Sequence, residues 1–251
     1  ERKAAVVQGV RLIVAYDGTA YGGWQVQPNG PTIEGELNAA LTILTGENIQ
    51  VIGASRTDAG VHGLCNVAVF DTESPIPGEK FSYALNQRLP EDIRVRDSEE
   101  VAPDFHPRHQ ASRKTYAYRI LNAEFPDPTK RLYTHFTYHK MDVSQMQKAA
   151  EYFVGEHDFK SFCSPAATVE STVRTIYKCQ VSKEGELITI EVQGNGFLYN
   201  MVRIMAGTLM EVGCGRMLPE QIPDILKQKD RNAAGPTAPA KGLCLVKYEY
   251  I

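Results

Sequence analysis

Residues 53–63 of this 251-residue chain are Gly53-Ala54-Ser55-Arg56-Thr57-Asp58-Ala59-Gly60-Val61-His62-Gly63, and the rest of the sequence is organised around them. A β-branched run at residues 49–52 precedes it, and an apolar run at residues 64–70 follows it. This pattern predicts a loop between two strands. Its three glycines permit backbone conformations that other residues resist.

The centre of this loop places one carboxylate, Asp58, two residues after one guanidinium, Arg56. A carboxylate can act as a nucleophile or as a general base, and catalytic residues are often carried on loops of a rigid scaffold. The same residues are also compatible with an Asx-turn beside a solvated arginine, because Asp and Gly are ordinary turn residues. Spacing alone leaves both interpretations open.

The composition predicts a packed globular protein, with 43% hydrophobic and 23% charged residues. No apolar run approaches the ~18 residues that a membrane span requires, and no secretory signal is evident. The cysteines are scattered and form no Cys-x-x-Cys pair, which favours reduced thiols in a cytoplasmic protein over disulfides or a zinc ribbon. They are Cys65, Cys163, Cys179, Cys214 and Cys244.

The formal net charge of −3 argues against a generally basic nucleic-acid binder, although it leaves room for a local basic groove. Residues 106–131 carry such an excess of positive charge, opposed only by Glu124 and Asp127. This segment could form a basic face or a solvated edge. Its cationic residues are Arg108, Arg113, Lys114, Arg119, Lys130 and Arg131.

The first half of the chain predicts the order βαββαβ. A helix over residues 32–46 has Thr32 as a plausible N-cap and Gly46 as its stop signal, and a second helix covers residues 78–88. The strands are predicted over residues 10–16, 49–54, 64–71 and 93–101.

The second half predicts the same order with one helix added. Helices are expected over residues 144–154, capped by Ser144, then 198–212 and 220–227. The strands are predicted over residues 114–121, 172–181, 187–193 and 243–250. The fold class is therefore α+β, with two tandem ferredoxin-like or RRM-like halves at residues 1–105 and 106–251. We expect them to join into a mostly antiparallel sheet with an active-site cleft at the junction.

Two patterns that would indicate a metal or a nucleotide cofactor are incomplete. His135 and His139 have the i, i+4 spacing of a zincin helix, but Phe136 stands where the general-base glutamate would be. Gly194-x-Gly196 lacks the third glycine of a dinucleotide fingerprint, and no P-loop sequence occurs. The sequence therefore predicts no metal and no nucleotide cofactor, with the histidines on the surface or in loops.

Residues 55–62 closely resemble the active-site motif of TruA-type tRNA pseudouridine synthases. The resemblance continues in chain order over nearly the whole sequence, through residues 16–19, 23–25, 114–118, 197–203 and 238–243. It implies the same paired βαββαβ architecture. It also implies that Asp58 is the single nucleophile, attacking a uridine at either C1′ of the ribose or C6 of the base.

The resemblance gives roles to three further residues. Arg203 is expected to pair with the Asp58 carboxylate, since an arginine in an apolar helix is costly to bury unpaired; the alternative is that it snorkels to the surface. Arg56 is expected to displace and hold the target base. Tyr116 is expected to stack on that base and to handle a proton, whereas Tyr118, on the same strand face, is expected to pack nearby.

The function implied by the resemblance is the isomerisation of uridine to pseudouridine in the anticodon stem-loop of tRNA, at positions 38, 39 and 40. This reaction needs no cofactor, because nothing is gained or lost overall. The resemblance further implies a homodimer that binds tRNA, with no membrane association. The alternative is a non-catalytic RNA-binding protein with two RRM-like halves, although the chain lacks a typical RNP1 run.

Overall fold

The computed structural model describes residues 6–251, which form two compact units. One unit runs to Ala111 and includes Tyr250 and Ile251, and the other spans Ser112–Glu249. Both combine helices with mostly antiparallel strands, which confirms the predicted α+β class. Within the described residues, no helix is both long and apolar enough to cross a bilayer.

The first unit has the predicted βαββαβ order and a ferredoxin-like sheet. Its strands lie in the order β4-β1-β3-β2, and each neighbouring pair is antiparallel. The elements are β1 (Gln8–Tyr16), α1 (Ile33–Thr45), β2 (Ile52–Gly53), β3 (His62–Thr72), α2 (Phe81–Asn86) and β4 (Ile93–Val101).

The helix α1 covers one face of this sheet and shows why the sequence pattern was informative. Thr32 caps it, since its hydroxyl oxygen accepts a hydrogen bond from Gly35 N at 3.1 Å, and Gly46 ends it with a φ of 74°. Leu37 and Leu41 are fully buried on its inner face, in one core cluster with Leu12 of β1. The predicted cap, stop signal and apolar face are therefore confirmed.

The second unit repeats the motif and adds to it. The second βαββαβ order consists of β5, α3, β8, β9, α4 and β10. In the sheet, the strands of this unit lie in the order β10-β5-β9-β8-β7. The short strand β6 pairs with β5 in parallel. The elements are β5 (Ser112–Asn122), β6 (His135–Thr137), α3 (Val143–Glu151), β7 (Gly155–Asp158), β8 (Val173–Glu184), β9 (Leu187–Gly194), α4 (Met201–Gly213), α5 (Gln221–Gln228) and β10 (Leu243–Tyr250).

Several predicted elements differ from the structure. The strand predicted over residues 49–54 shrinks to β2, because Val51 N donates to the side chain of Asn38 at 2.8 Å instead of to a neighbouring strand. The helix predicted over residues 78–88 is a 3-10 turn followed by the short α2. The N-cap of α3 is Asp142 and not Ser144. The Ser144 hydroxyl donates a hydrogen bond to the Asp142 carboxylate. The strands β6 and β7 were not predicted.

Candidate active site

The loop between β2 and β3 alternates buried and accessible side chains around Arg56 and Asp58. Ser55 and Thr57 are 5% and 7% exposed, whereas Arg56 is exposed and Asp58 is half-buried. Alternation of this kind is typical of an extended backbone, in which successive side chains point in opposite directions. The loop therefore uses Ser55 and Thr57 as inward anchors and presents Arg56 and Asp58 towards the surface of the unit.

A buried hydrogen-bond network lies beneath this loop, centred on Asn66 of β3, which is 0% exposed. The Asn66 amide accepts from Ser55 N at 3.2 Å and donates to Ser55 O at 2.8 Å. The same amide donates to the Tyr16 hydroxyl at 3.2 Å, and that hydroxyl shares a 2.7 Å hydrogen bond with Thr57 Oγ1. Asn66 thus holds the backbone of Ser55, directly before Arg56, and Tyr16 holds the side chain of Thr57, directly after it.

The segment at residues 23–24 holds the loop from another direction. Trp24 N donates to Thr57 O at 3.0 Å, and the Trp24 ring is almost fully buried. Gly23 has a φ of 96°, and a Cβ atom there would lie 2.8 Å from Thr57 O. Glycine is required at this position by both the backbone conformation and the close approach of the loop.

A tight turn follows Asp58 and returns the chain to β3. Val61 N donates to Asp58 O at 3.0 Å, with Gly60 at the third position of the turn and a φ of 80°. Next to this turn, Gly18 N donates to Nδ1 of the buried His62 at 2.9 Å. A Cβ atom on Gly18 would lie 2.0 Å from Val61 O, so the segment at residues 16–18 packs directly against the end of the loop.

Arg56 lies in a locally charged environment at the start of α1. Burial raises the pKa of Glu34, while the positive charges of Arg56 and Arg108 oppose that rise. Glu34 Oε2 also accepts a hydrogen bond from Val26 N at 3.4 Å. Burial thus raises the pKa of this half-buried carboxylate, and the hydrogen bond and both guanidinium charges lower it.

In the second unit, two hydrogen bonds anchor Arg203 at the start of α4. Its Nε donates to Ala238 O at 2.8 Å, and one terminal nitrogen donates to Asn200 Oδ1 at 3.1 Å. Asn200 is the N-cap residue of α4 and has a φ of 60°, which is uncommon for a residue other than glycine. Ala238 N in turn donates to Arg203 O at 3.0 Å, so the segment beyond Ala238 is fixed to the helix.

The two tyrosines of β5 occupy different environments in the second unit. Tyr116 is 9% exposed, and its ring meets Phe197 edge-on at a centroid distance of 5.0 Å. Tyr118 is fully buried and donates its hydroxyl to Pro239 O at 2.7 Å. Burial raises the pKa of Tyr118, and the charge of Arg203 opposes that rise. Consecutive carbonyls, at residues 238 and 239, thus hold Arg203 and Tyr118 in place.

The structure does not support a zincin-like site at His135. That residue lies on β6 and not on a helix, so the i, i+4 spacing to His139 does not place the two rings on one helical face. Over residues 6–251, no group of three or more His, Cys, Asp or Glu side chains is arranged to hold a metal ion.

Asn66 and Tyr16 contact the Asp58 loop in the first unit, and Asn200 contacts Arg203 in the second. None of the three was given a role from the sequence. Asn66 interrupts the apolar run of β3, and a buried asparagine must find hydrogen-bond partners. That interruption was a usable signal. Tyr16 lies in the matched run at residues 16–19, but its role depends on a partner 41 residues away in sequence, so the run alone did not indicate that role.

The comparisons with known proteins cover almost the whole chain. The profile of the family described as "tRNA pseudouridine synthase" matches residues 12–110 and 149–251. The chain belongs to the tRNA pseudouridine synthase family. As a member of that family it is an enzyme, an isomerase, and the alternative of a non-catalytic RNA-binding protein is not favoured.

Individual relatives of this pseudouridine synthase agree with the family assignment. The "tRNA pseudouridine synthase A" of Acetivibrio thermocellus is 49% identical over 97% of this chain and 100% of its own. That of Ruminiclostridium cellulolyticum is 50% identical over 96% of this chain and 99% of its own. Among solved structures, an archaeal box H/ACA Nop10–Cbf5 complex covers 88% of this chain and 61% of its own at a TM-score of 0.35 and 13% identity, too little to support an argument.

Proposed function

We propose that this pseudouridine synthase isomerises uridine in tRNA, in the anticodon stem-loop at positions 38, 39 and 40, with Asp58 as the nucleophile. The observation that carries the proposal is the Asp58 loop, which presents a half-buried carboxylate from a rigid, hydrogen-bonded base. Full-length relatives named tRNA pseudouridine synthase A support tRNA as the substrate.

The reaction breaks the N1–C1′ bond of uridine, turns the uracil and forms a C5–C1′ bond. C5 then gives up its proton and N1 takes one up. No electrons, phosphate or other group enter or leave, so we propose that no cofactor or metal takes part. The target base must first leave its stack, which costs a few kcal/mol and costs least in a loop or at a weak pair.

We propose distinct roles for the other site residues. Arg56 is exposed beside the nucleophile, so its guanidinium is available to occupy the space of the displaced base and to hold the base outside the stack. Arg203, held rigidly by Ala238 and Asn200, supplies a fixed positive charge that keeps a nucleophilic carboxylate ionised. Tyr116 offers an aromatic face for the uracil and a phenol for the proton at C5.

We propose that the phosphate contacts come largely from the cationic residues between residues 108 and 131. Two of them already lie over tyrosine rings, with Arg113 5.1 Å from the centroid of Tyr177 and Lys114 5.3 Å from that of Tyr248. Cation–aromatic pairs of this kind are suited to RNA, because the cation meets phosphate and the ring can meet a base. A-form RNA is otherwise recognised mainly by shape and backbone.

We also propose that the protein is a homodimer and that it is cytoplasmic. We further propose that residues 1–105, which carry the Asp58 loop, and residues 106–251 have separate tasks. The five cysteines are all free, which supports a reducing compartment. Sedimentation of the pure protein with and without tRNA would test the dimer.

The release of tritium from tRNA labelled with 5-tritiated uridine tests the proposed function. We expect release at catalytic rates in buffer that contains EDTA, because no metal is proposed. A tRNA in which positions 38, 39 and 40 carry no uridine is the matched control and should release none. Specific binding of tRNA without any release of tritium would refute the function.

A further inference from the structure

The network beneath the Asp58 loop is built from buried polar side chains. Tyr16, Thr57 and Asn66 are 5%, 7% and 0% exposed, and each brings polar atoms into the core of the first unit. Burying polar groups gains little stability even when they are hydrogen-bonded, and costs stability when they are not. The proposed reaction steps do not use these three side chains.

This network holds the loop at two residues, at the backbone of Ser55 and at the side chain of Thr57. The β2–β3 ladder continues as far as Ala54 N, which donates to Val67 O at 2.8 Å. At the next residue the Asn66 amide replaces the strand partner and binds both backbone groups of Ser55. Thr57 is then held through its side chain by Tyr16 and through its carbonyl by Trp24.

We propose that Tyr16, Thr57 and Asn66 are positioning residues for the nucleophile, an inference that rests on the proposed role of Asp58. With residues 55 and 57 both fixed, Arg56 has little freedom to turn. The Cα atom of Asp58 lies only one peptide, about 3.8 Å, beyond a doubly anchored residue. The Tyr16–Thr57 hydrogen bond bears on where the carboxylate points, because it fixes the side chain of the residue directly before Asp58.

A control lies outside the loop. Tyr21 is also in the first unit, and its hydroxyl donates to Asp92 Oδ1 at 2.6 Å rather than to any group of the loop.

The test compares the single-turnover rate of tritium release and the tRNA dissociation constant for Tyr16→Phe, Thr57→Val and the double variant. Each is measured at a temperature where circular dichroism shows the variant folded. We expect each single variant to be slower by about 10- to 100-fold, the range that follows from small misplacements of reacting groups, with tRNA affinity unchanged. The double variant should be no slower than the slower single variant, because both changes remove one shared bond.

The controls separate positioning from a merely structural role. Thr57→Ser keeps the hydroxyl and should restore most of the rate, while Tyr21→Phe should turn over as the wild type does. If Tyr16→Phe does not fold, the Thr57→Val and Thr57→Ser pair carries the test alone. Wild-type rates in both single variants would overturn the proposal. So would rate losses that multiply in the double variant, or a rate loss matched by weaker tRNA binding.

Failure of this inference is distinguishable from failure of the proposed function. If wild-type protein releases no tritium, the proposed function is wrong and the variants have no rate to compare. If the wild type and the controls release tritium at equal rates and Tyr16→Phe and Thr57→Val do so as well, only the positioning role is wrong.

Discussion

Asp58 and Arg203 are both held in place by hydrogen bonds, but the two regions achieve this in opposite ways. The Asp58 loop depends on partners far away in sequence, since Asn66 lies 50 residues from Tyr16, to which it donates. The contacts of Arg203 include one with Asn200, only three residues before it, and one with the carbonyl of Ala238.

The difference teaches where each charged group gets its rigidity. The loop has little regular structure of its own, so its conformation is set by buried side chains of neighbouring strands. The arginine sits in the first turn of a 13-residue helix, so the helix already fixes its backbone and the side-chain bonds only select its direction. A change to the loop network should therefore have larger effects than a comparable change around Arg203.

The largest effect is expected at Asp58 itself. Asp58→Asn keeps the size and most hydrogen-bonding capacity of the side chain but removes the nucleophile, so tritium release should be abolished. The tRNA dissociation constant, measured by filter binding, should stay close to that of the wild type. An Asp58→Asn enzyme with wild-type turnover, with deamidation excluded by mass spectrometry, would show that the first unit does not carry the chemistry.

Tyr116 tests whether the second unit also contributes chemistry or only binding. Tyr116→Phe keeps the ring and removes the phenol, so tRNA should bind normally while turnover falls by about 10²–10⁴-fold, as is typical for a general acid or base. Tyr116→Ala should in addition lose about 1–3 kcal/mol of base stacking, measured as weaker binding.

The matched control is Tyr118→Phe on the same strand. It breaks the bond to Pro239 O, which should cost about 1 kcal/mol of folding stability with little effect on turnover. Normal turnover in Tyr116→Phe would leave stacking as its only role. An inactive Tyr118→Phe enzyme would mean that the two tyrosines have exchanged roles.

How much of this could be predicted from sequence follows from the same comparison. The α1 helix, most strands and the candidate site residues are encoded locally, by period, caps and motif, and were predicted. The short extent of β2 could not be, because it depends on the Asn38 side chain taking up Val51 N across 13 residues. The network of Tyr16 and Asn66 was missed for a similar reason, since its partners meet only after the sheet has formed.

Asn200 should show a smaller effect that separates backbone from side chain at the Arg203 anchor. Asn200→Gly keeps the left-handed conformation and removes the acceptor, so we expect turnover to fall about tenfold, equivalent to about 1.4 kcal/mol, with folding stability little changed. Asn200→Ala removes the acceptor as well and should also lose about 1 kcal/mol of stability, because a Cβ disfavours a positive φ.

The conservative variant Asn200→Asp keeps the oxygen that Arg203 contacts and should restore turnover. Chemical denaturation and single-turnover kinetics measure the two effects separately. If Asn200→Gly turns over normally, the helix backbone and the Ala238 carbonyl are enough to hold Arg203, and the Asn200 side chain is not needed for this.

The smallest effect per residue is expected for substitutions in the cationic segment at residues 108–131. These substitutions compare the two units as RNA-binding surfaces. The tRNA affinity should fall as salt rises, with a log–log slope set by the number of phosphate contacts. Each contact removed should flatten that slope by about 0.7–0.9. Arg108→Gln tests the first unit, and Lys130→Gln and Arg131→Gln test the second; all three side chains are exposed and can reach phosphate without rearrangement of the core.

Lys178→Gln provides the matched control for these charge changes, because Lys178 lies outside the segment and already pairs with Glu191 at 3.0 Å. Its removal should leave the salt slope unchanged, since no phosphate contact is proposed at Lys178. A flatter slope in Arg108→Gln alone would assign the phosphate contacts to the first unit. A flatter slope in the Lys130 and Arg131 variants alone would assign them to the second. If none of the three changes the slope while Lys178→Gln does, the RNA follows the outer strands of the second unit, and the segment at residues 108–131 is a solvated edge.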